Sequence, residues 1–316
     1  MVKIDLITGF LGSGKTTLLK RYAQYLIRQG KQIGILENDY GAVNVDMMLL
    51  QDLPEEQCEL EMISGGCDRE THRRRFRTKL IAMGMCGYDR ILMEPSGIYD
   101  MDEFFDVLRD EPLDQWYEIG NVITVVDAVL EKNLSEEAEY LLASEAASAG
   151  RIVLSHTDLA EEAQIRKTME FLNQALETIG CDRRLEEDRF IRGITNLTDA
   201  DFAELCSCGY VTASYPKKEH AGEDGFQSVY LLDLKLSEKQ IRTAILQIME
   251  DQSCGEVFRI KGFTKDGDSW KQFNATRNQM TVSDVPAGQS VLIVIGEHLN
   301  EERIRSMIST IGQNDS

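Results

Sequence analysis

The sequence predicts an α/β protein with a mostly parallel sheet flanked by helices, followed by a smaller C-terminal α+β domain. Three observations predict it. Short apolar runs alternate with helical patterns over the first two thirds of the chain, which is the pattern of a parallel sheet covered on both faces. A glycine-rich turn joins the first run directly to the first helical pattern. A polar stretch at residues 215–225, with a proline and two glycines, separates this region from one of different patterning.

Taken in order, residues 2–8 form an apolar strand, and residues 17–29 carry Leu18, Leu19, Tyr22 and Leu26 at helical spacing before Gly30 ends the helix. Further strands are predicted at residues 32–36, 90–93, 122–126 and 152–154. A helix over residues 160–178 places Ile165, Met169, Leu172 and Leu176 on one face. This gives a first domain at residues 1–214, a linker at 215–225 and a second domain at 226–316. In the second, residues 229–234 read as a strand, and Ser237-Glu238-Lys239-Gln240 has the form of a capping box. It opens a helix with Ile241, Ala244, Ile245 and Ile248 inward. Strands at residues 257–260, 270–273 and 291–295 precede a last helix carrying Ile304, Met307 and Ile308.

A chain of 316 residues is long enough for two cores. Its formal net charge of -20 repels nucleic-acid backbones and anionic membrane surfaces, so neither is expected as a partner. No apolar run approaches the roughly 20 residues of a bilayer span, and no basic leader opens the chain, so a cytoplasmic location is expected. The cysteines, Cys58, Cys67, Cys86, Cys181, Cys206, Cys208 and Cys254, are odd in number and scattered, which predicts reduced thiols.

Gly9-Phe10-Leu11-Gly12-Ser13-Gly14-Lys15-Thr16 has the spacing of a P-loop between a strand and a helix, and so predicts the P-loop NTPase fold. Gly9, Gly12, Ser13 and Gly14 let consecutive backbone N–H groups curl around phosphate oxygens, and the helix that Thr17 continues points its positive end at them. Lys15 is expected to neutralise the β- and γ-phosphates, and the Thr16 hydroxyl to bind Mg²⁺.

Such a site needs an acid at the end of another core strand. Glu94, at the start of Glu94-Pro95-Ser96-Gly97, fits, with Gly97 placed to offer its N–H to the γ-phosphate; the competing reading is a strand-ending turn with a solvated Glu. Glu37-Asn38-Asp39-Tyr40-Gly41 and Asp46 form a candidate switch loop after the second strand, where Glu37 or Asp39 can orient the attacking water or bind metal. A solvated acidic loop is the alternative. Ser155-His156-Thr157-Asp158 follows a later strand. There a carboxylate from Asp158 can accept from guanine N1–H and its 2-amino group, and the His156 ring can stack on the base. A helix N-cap is the other use for Asp158.

With these residues assembled, the chain resembles the CobW/HypB/UreG-type metal-chaperone GTPases, the CobW branch in particular, over nearly its whole length. The P-loop, the Glu37 to Gly41 segment with Asp46, Glu94-Pro95-Ser96-Gly97 and Val126-Asp127-Ala128 match that branch in order. In the second domain Val257-Phe258-Arg259-Ile260-Lys261-Gly262 and Val291-Leu292-Ile293-Val294-Ile295-Gly296 look like its C-terminal domain. The resemblance implies GTP and Mg²⁺ as ligands, slow hydrolysis of GTP, delivery of Zn²⁺, Co²⁺ or Ni²⁺ to a metalloprotein or metal-cofactor client, and a homodimer as a candidate assembly. The branch carries Gly-Cys-x-Cys-Cys before its acidic strand, whereas this chain has Gly66-Cys67-Asp68-Arg69-Glu70. One cysteine is left there, and Cys67 with Asp68, Glu70 and His72 is the residual candidate for a mixed N/O/S site.

Cys206-Ser207-Cys208 reads as an incidental surface pair, and His72-Arg73-Arg74-Arg75-Phe76-Arg77 as a solvated helix face. Two other functions stay open: a nucleotide-sensing switch without metal handling, and a P-loop ATPase or small-molecule kinase, since Ser155 and His156 replace two residues of the usual base-reading motif.

Overall fold

The computed structural model describes residues 1–39, 49–64, 69–97, 99, 101–130, 134–216, 226–267, 269–277, 279–285 and 288–313. The chain divides into two compact units, Met1–Lys217 and Lys218–Ser316. Among the described residues no helix is long and apolar enough to cross a membrane.

In the first unit β1 (Val2–Thr8), β2 (Ile33–Asp39), β3 (Cys58–Ser64), β4 (Arg90–Pro95), β5 (Tyr117–Asp127), β6 (Arg151–Ser155) and β7 (Phe190–Arg192) form one sheet in the order β3-β2-β4-β1-β5-β6-β7. Every neighbouring pair is parallel. Parallel strands need crossovers, and these carry α1 (Lys15–Arg28), α2 (Arg69–Gly84), α3 (Met101–Arg109), α4 (Leu113–Trp116), α5 (Glu136–Ser148) and α6 (Glu162–Thr178), while α7 (Asp199–Leu205) follows the last strand.

Strand residues alternate between two cores. Ile33 and Ile35 of β2 and Leu92 of β4 pack with Leu18, Leu19 and Tyr22 of α1. Leu36 of β2 and Ile91 and Met93 of β4 face the other way, onto Phe76 and Leu80 of α2 and Phe104 of α3. By the same alternation Glu37 and Glu94 lie on the α1 side. Each fully buried Leu or Ile contributes roughly 1.5–3 kcal/mol relative to exposure, so the α1 seam that carries the phosphate loop is firmly fixed.

One polar cluster interrupts this core. The Asp5 carboxylate, fully buried, accepts from Tyr22 Oη at 2.7 Å and from the backbone N and Nδ2 of Asn121 at 2.9 Å each, and pairs with Arg90. Burial pushes the Asp5 carboxyl up, and Arg90 beside it opposes that shift. The cluster ties α1 to β1, β4 and β5 beneath the phosphate loop.

In the second unit β8 (Phe226–Leu232), β9 (Glu256–Asp266), β10 (Ser269–Thr276), β11 (Met280–Val285) and β12 (Val291–Glu297) form an antiparallel sheet in the order β11-β10-β9-β12-β8. Helix α8 (Glu238–Glu250) opens on the expected capping box, with both the Ser237 and Gln240 side chains engaged. Its Ile241, Ala244, Ile245 and Ile248 share a core with Ile304 and Ile308 of α9 (Glu301–Gln313).

Several expectations need correction. Glu37 belongs to β2 and is buried, because the strand runs to Asp39 beside β4. The sequence reading overlooked β3, β7 and β11. On α6 Thr168 takes the buried place expected of Met169, which is half-buried. Cys206 and Cys208 are no surface pair; both pack against the α1-side core, and burial pushes the Cys208 thiol up to about 12. On α2, Arg73, Arg74, Arg75 and Arg77 are exposed as expected, but His72 is fully buried with its Nδ1 3.2 Å from Glu103 Oε1. The six described cysteines are free thiols.

Candidate active site

The phosphate loop leaves β1 at Thr8 and enters α1 at Lys15. Gly9 has φ 146°, and a Cβ there would stand 2.2 Å from the Val125 carbonyl oxygen, so only glycine lets the loop pass so close to β5. Gly12 and Gly14 are also left-handed, and Gly14 caps α1 without a side-chain bond, leaving the first amides of the helix directed into the loop. Lys15 is buried and donates to Gly9 O at 2.8 Å, so its ammonium lies over the loop's own backbone. Ser13 is buried too, and its Oγ has no hydrogen-bond partner among the described residues.

Thr16 and Thr17 open the helix, Thr16 buried and Thr17 exposed. The Thr16 hydroxyl donates to Glu94 Oε1 at 2.9 Å. Glu94 is buried, which removes the solvated-turn reading. In the parallel register Glu37 of β2 stands opposite Glu94, and it is also buried. A hydroxyl and two carboxylates in one place make a hard-oxygen donor set, the kind that suits Mg²⁺ and not a thiophilic ion. Two buried carboxylates side by side are costly without a cation to share.

Past β4, Ser96 N donates to Asn38 O at 2.7 Å, which holds the exits of β2 and β4 together. Gly97 then meets the phosphate loop: a Cβ on it would lie 2.8 Å from Leu11 N and 3.0 Å from Leu11 Cα. This puts the Gly97 backbone against the loop that would hold the phosphates. Asp39 ends β2, and its side chain lies outside the described residues, as do Tyr40, Gly41, Asp46 and Cys67. Among the described residues there is no group of three or more His, Cys, Asp or Glu able to hold a metal ion.

The candidate base-reading loop leaves β6. Ser155 is buried beside Gly14, its Cβ 3.7 Å from where a Gly14 Cβ would stand, so this loop abuts the start of α1. His156 takes a left-handed φ of 48°, and its Nδ1 is 3.0 Å from Asp127 Oδ2 at the end of β5. The hydrogen bond to Asp127 raises the imidazole above its ordinary value against the opposing effect of burial. Asp127 is itself held, its Oδ1 accepting from Val129 N at 2.8 Å. Asp158 is exposed, and α6 starts at Glu162 with Glu161 as its N-cap residue, so Asp158 does not cap that helix.

Sequence reasoning missed two residues here. It gave Asp127 only a structural role as a strand end, although a carboxylate ending the strand next to His156 was the available signal. It missed Glu145 altogether. This α5 residue is fully buried behind the phosphate loop; its Oε1 accepts from Thr8 Oγ1 at 2.8 Å, and the nearby Gly9 N–H favours the charged form of the same carboxyl.

Residues 3–179 match the family model for the CobW/HypB/UreG nucleotide-binding domain, and residues 232–311 the model for the cobalamin synthesis protein cobW C-terminal domain. The chain is 31% identical over 172 residues to zinc chaperone YjiA of Escherichia coli strain K12, covering 52% of this chain and 52% of that protein. It is 24% identical over 208 residues to zinc-regulated GTPase metalloprotein activator 1 of Schizosaccharomyces pombe, covering 63% and 49%. The match thus spans about half the length of these relatives. Among solved structures, Zn(II)-bound YjiA GTPase from E. coli aligns over 98% of both chains at 20% identity with a TM-score of 0.36.

Proposed function

The chain belongs to the CobW/HypB/UreG family, and from that premise we propose that it is a Mg²⁺-dependent GTPase whose nucleotide state governs delivery of a metal ion to a client protein. One observation carries the nucleotide half of this reading: the Thr16 hydroxyl bonded to buried Glu94 at 2.9 Å, beside Glu37 and at the mouth of the glycine loop. Thr16 and Glu94 would hold Mg²⁺, which when bound neutralises charge on the β- and γ-phosphate oxygens. The loop amides from Gly9 to Thr16 and the N-terminal end of α1 receive the phosphates, and Lys15 turns from the Gly9 carbonyl to them. Gly97 sits where its N–H can meet the γ-phosphate. Glu37 or Asp39 orients the attacking water, so catalysis is positioning and charge stabilisation. The site's sequence motifs place no arginine or glutamine to stabilise the transition state, so isolated turnover is slow, below roughly 1 s⁻¹.

Asp158 gives the guanine preference, and His156, held by Asp127, forms the platform under the base. The zinc-chaperone names of the relatives support Zn²⁺ as the cargo, ahead of Co²⁺ or Ni²⁺, with Cys67 as its candidate ligand. Work in the cytoplasm and a client metalloprotein belong to the same reading. Competition of GTP and ATP for one site, with and without Mg²⁺, tests it; ATP preference overturns the base assignment.

The second reading, a nucleotide-sensing switch without metal handling, is favoured by the single cysteine in the Gly66-Cys67-Asp68 segment. Equilibrium dialysis with Zn²⁺, Co²⁺ and Ni²⁺ in the presence of GTP separates the two. Binding tighter than about micromolar supports the chaperone, and weaker binding supports the switch.

A further inference from the structure

Glu145 is a carboxylic acid in a place where a P-loop protein has no evident use for one. It projects from the last turn of α5, on the face of the sheet opposite α1, and reaches the rear of the phosphate loop. None of its surface is exposed. Its Oε1 takes the Thr8 hydroxyl, the nearby Gly9 N–H favours its charged form, and its Oε2 has no hydrogen-bond partner among the described residues. The entrance of the loop is therefore held on two sides, the Thr8 hydroxyl by Glu145 and the Gly9 carbonyl by Lys15.

Lys15 is the cation that acts on this carboxyl. Arg183 binds the carbonyls of Ala146, Ala147 and Ala149 at the end of the same helix. The strand neighbours Thr8 and Thr124 are neutral, and the buried residues of α6, Ile165, Thr168, Leu172, Ala175 and Leu176, carry no charge. A triphosphate in the loop adds several negative charges across the loop backbone from Glu145 and claims the ammonium of Lys15. A buried carboxylate responds to both changes by taking a proton.

We propose that Glu145 is a proton-linked positioning residue of the phosphate site: it holds Thr8 at the entrance of the loop, and filling of the loop by a nucleotide is accompanied by uptake of one proton from solvent onto its carboxyl. The inference rests on the phosphate-site half of the proposed function and deepens it with a mode of regulation, affinity set by pH. Burial already pushes this carboxyl up to about 7, with Lys15, Thr8 and Gly9 opposing, so the empty site exchanges its proton in the neutral range. Below that value the proton is already in place and binding takes up little. Above it, binding must recruit the proton, and affinity falls by up to about tenfold per pH unit.

The test is calorimetric titration of full-length protein with a non-hydrolysable GTP analogue and Mg²⁺, at pH 6 and pH 8, in buffers of different ionisation enthalpy, which counts protons exchanged. Wild type is expected to take up almost none at pH 6 and close to one at pH 8. Glu145→Gln, which mimics the protonated acid, is expected to lose the pH 8 uptake and bind at least as tightly as wild type there. Thr8→Val, which removes a donor to the carboxylate and so favours the protonated form in the empty site, is expected to lower the pH 8 uptake while Glu145 stays in place. Equal uptake at pH 8 in wild type and Glu145→Gln overturns the proposal, as does a Glu145→Gln affinity reduced by the same factor at both pH values. Should wild type bind neither the GTP analogue nor an ATP analogue, the phosphate-site reading itself falls and this proposal with it.

Discussion

The contact between Gly97 and the phosphate loop yields a sharp test of the site. In Gly97→Ala the new methyl meets Leu11 Cδ2 and Leu11 N at 2.8 Å and Leu11 Cα at 3.0 Å, about 0.6 Å inside the onset of ordinary contact for the closest pair. The Leu11 side chain can swing aside, but its N and Cα move only with the loop. Overpacking of this kind costs about 1–3 kcal/mol. Phosphate binding needs loop amides about 2.7–3.1 Å from their oxygens, so a displacement of half an ångström is felt directly. The expected outcome is a 10- to 100-fold loss of nucleotide affinity, about 1.4–2.8 kcal/mol, measured by equilibrium titration with a fluorescent GTP analogue. Melting without nucleotide should fall by only a few degrees. Gly87→Ala is the control: Gly87 is left-handed, with φ 79°, and nothing lies within 4 Å of its Cβ position, so it should lose stability through backbone strain and keep affinity. Nucleotide affinity within twofold of wild type in Gly97→Ala would refute the reasoning, because it would mean that Gly97 and the loop do not act together.

Three further outcomes follow from the geometry. Glu94→Gln should raise the Mg²⁺ concentration needed for half-maximal nucleotide binding at least tenfold, about 1.4 kcal/mol, while leaving Mg²⁺-free binding nearly unchanged; an unaltered Mg²⁺ titration would remove Glu94 from the metal site. Because Asp127 raises His156, their pair supports the fold fully below the ordinary imidazole value near 6.5 and loses that support as pH rises through the raised one. Asp127→Asn should therefore bring the His156 titration down in an NMR pH series, and an unmoved midpoint would count against the pairing. Asp5→Asn leaves Arg90 without its buried counter-charge and sets an amide N–H against the donors around it, which should cost about 3–5 kcal/mol in denaturant unfolding; a loss under about 1 kcal/mol would show that the cluster relaxes.

The sequence disclosed most where chemistry demands a fixed spacing. A loop of consecutive amides between strand and helix leaves few alternatives to Gly9 through Thr16, and the α1 seam follows from apolar residues recurring at 18, 19, 22 and 26. It disclosed less where a residue's setting comes from a neighbour far along the chain. Glu37, Asn38 and Asp39 read as a loop because acids seldom lie inside a sheet, and only the register with Glu94 explains why β2 continues through them. Edge strand β3 hid for the opposite reason: Glu59 and Glu61 face solvent or Lys79, so the run has too few apolar residues to stand out. In α5 nothing local sets Glu145 apart from Glu136, Glu137 and Glu139, since its distinction comes from Thr8 and Gly9 over 130 residues earlier.

The uniform direction of the first sheet has a consequence for how such a protein can change over time. In the proposed function each task hangs from the carboxyl end of a different strand: phosphate on β1, the acids on β2 and β4, the base on β6 with its brace on β5. Between these ends the strands are filled by residues such as Ile35, Leu92 and Val153, which take no part in any task. A substitution at one strand end leaves the packing below untouched and the other ends in register. Ser155 and His156 stand where a different base-reading pair is usual, and the strand beneath them, Ile152 to Leu154, is fully buried and regularly paired with β5. Recognition of the base can thus drift while the phosphate grip stays constant, and a lineage can explore new ligands without relearning how to fold.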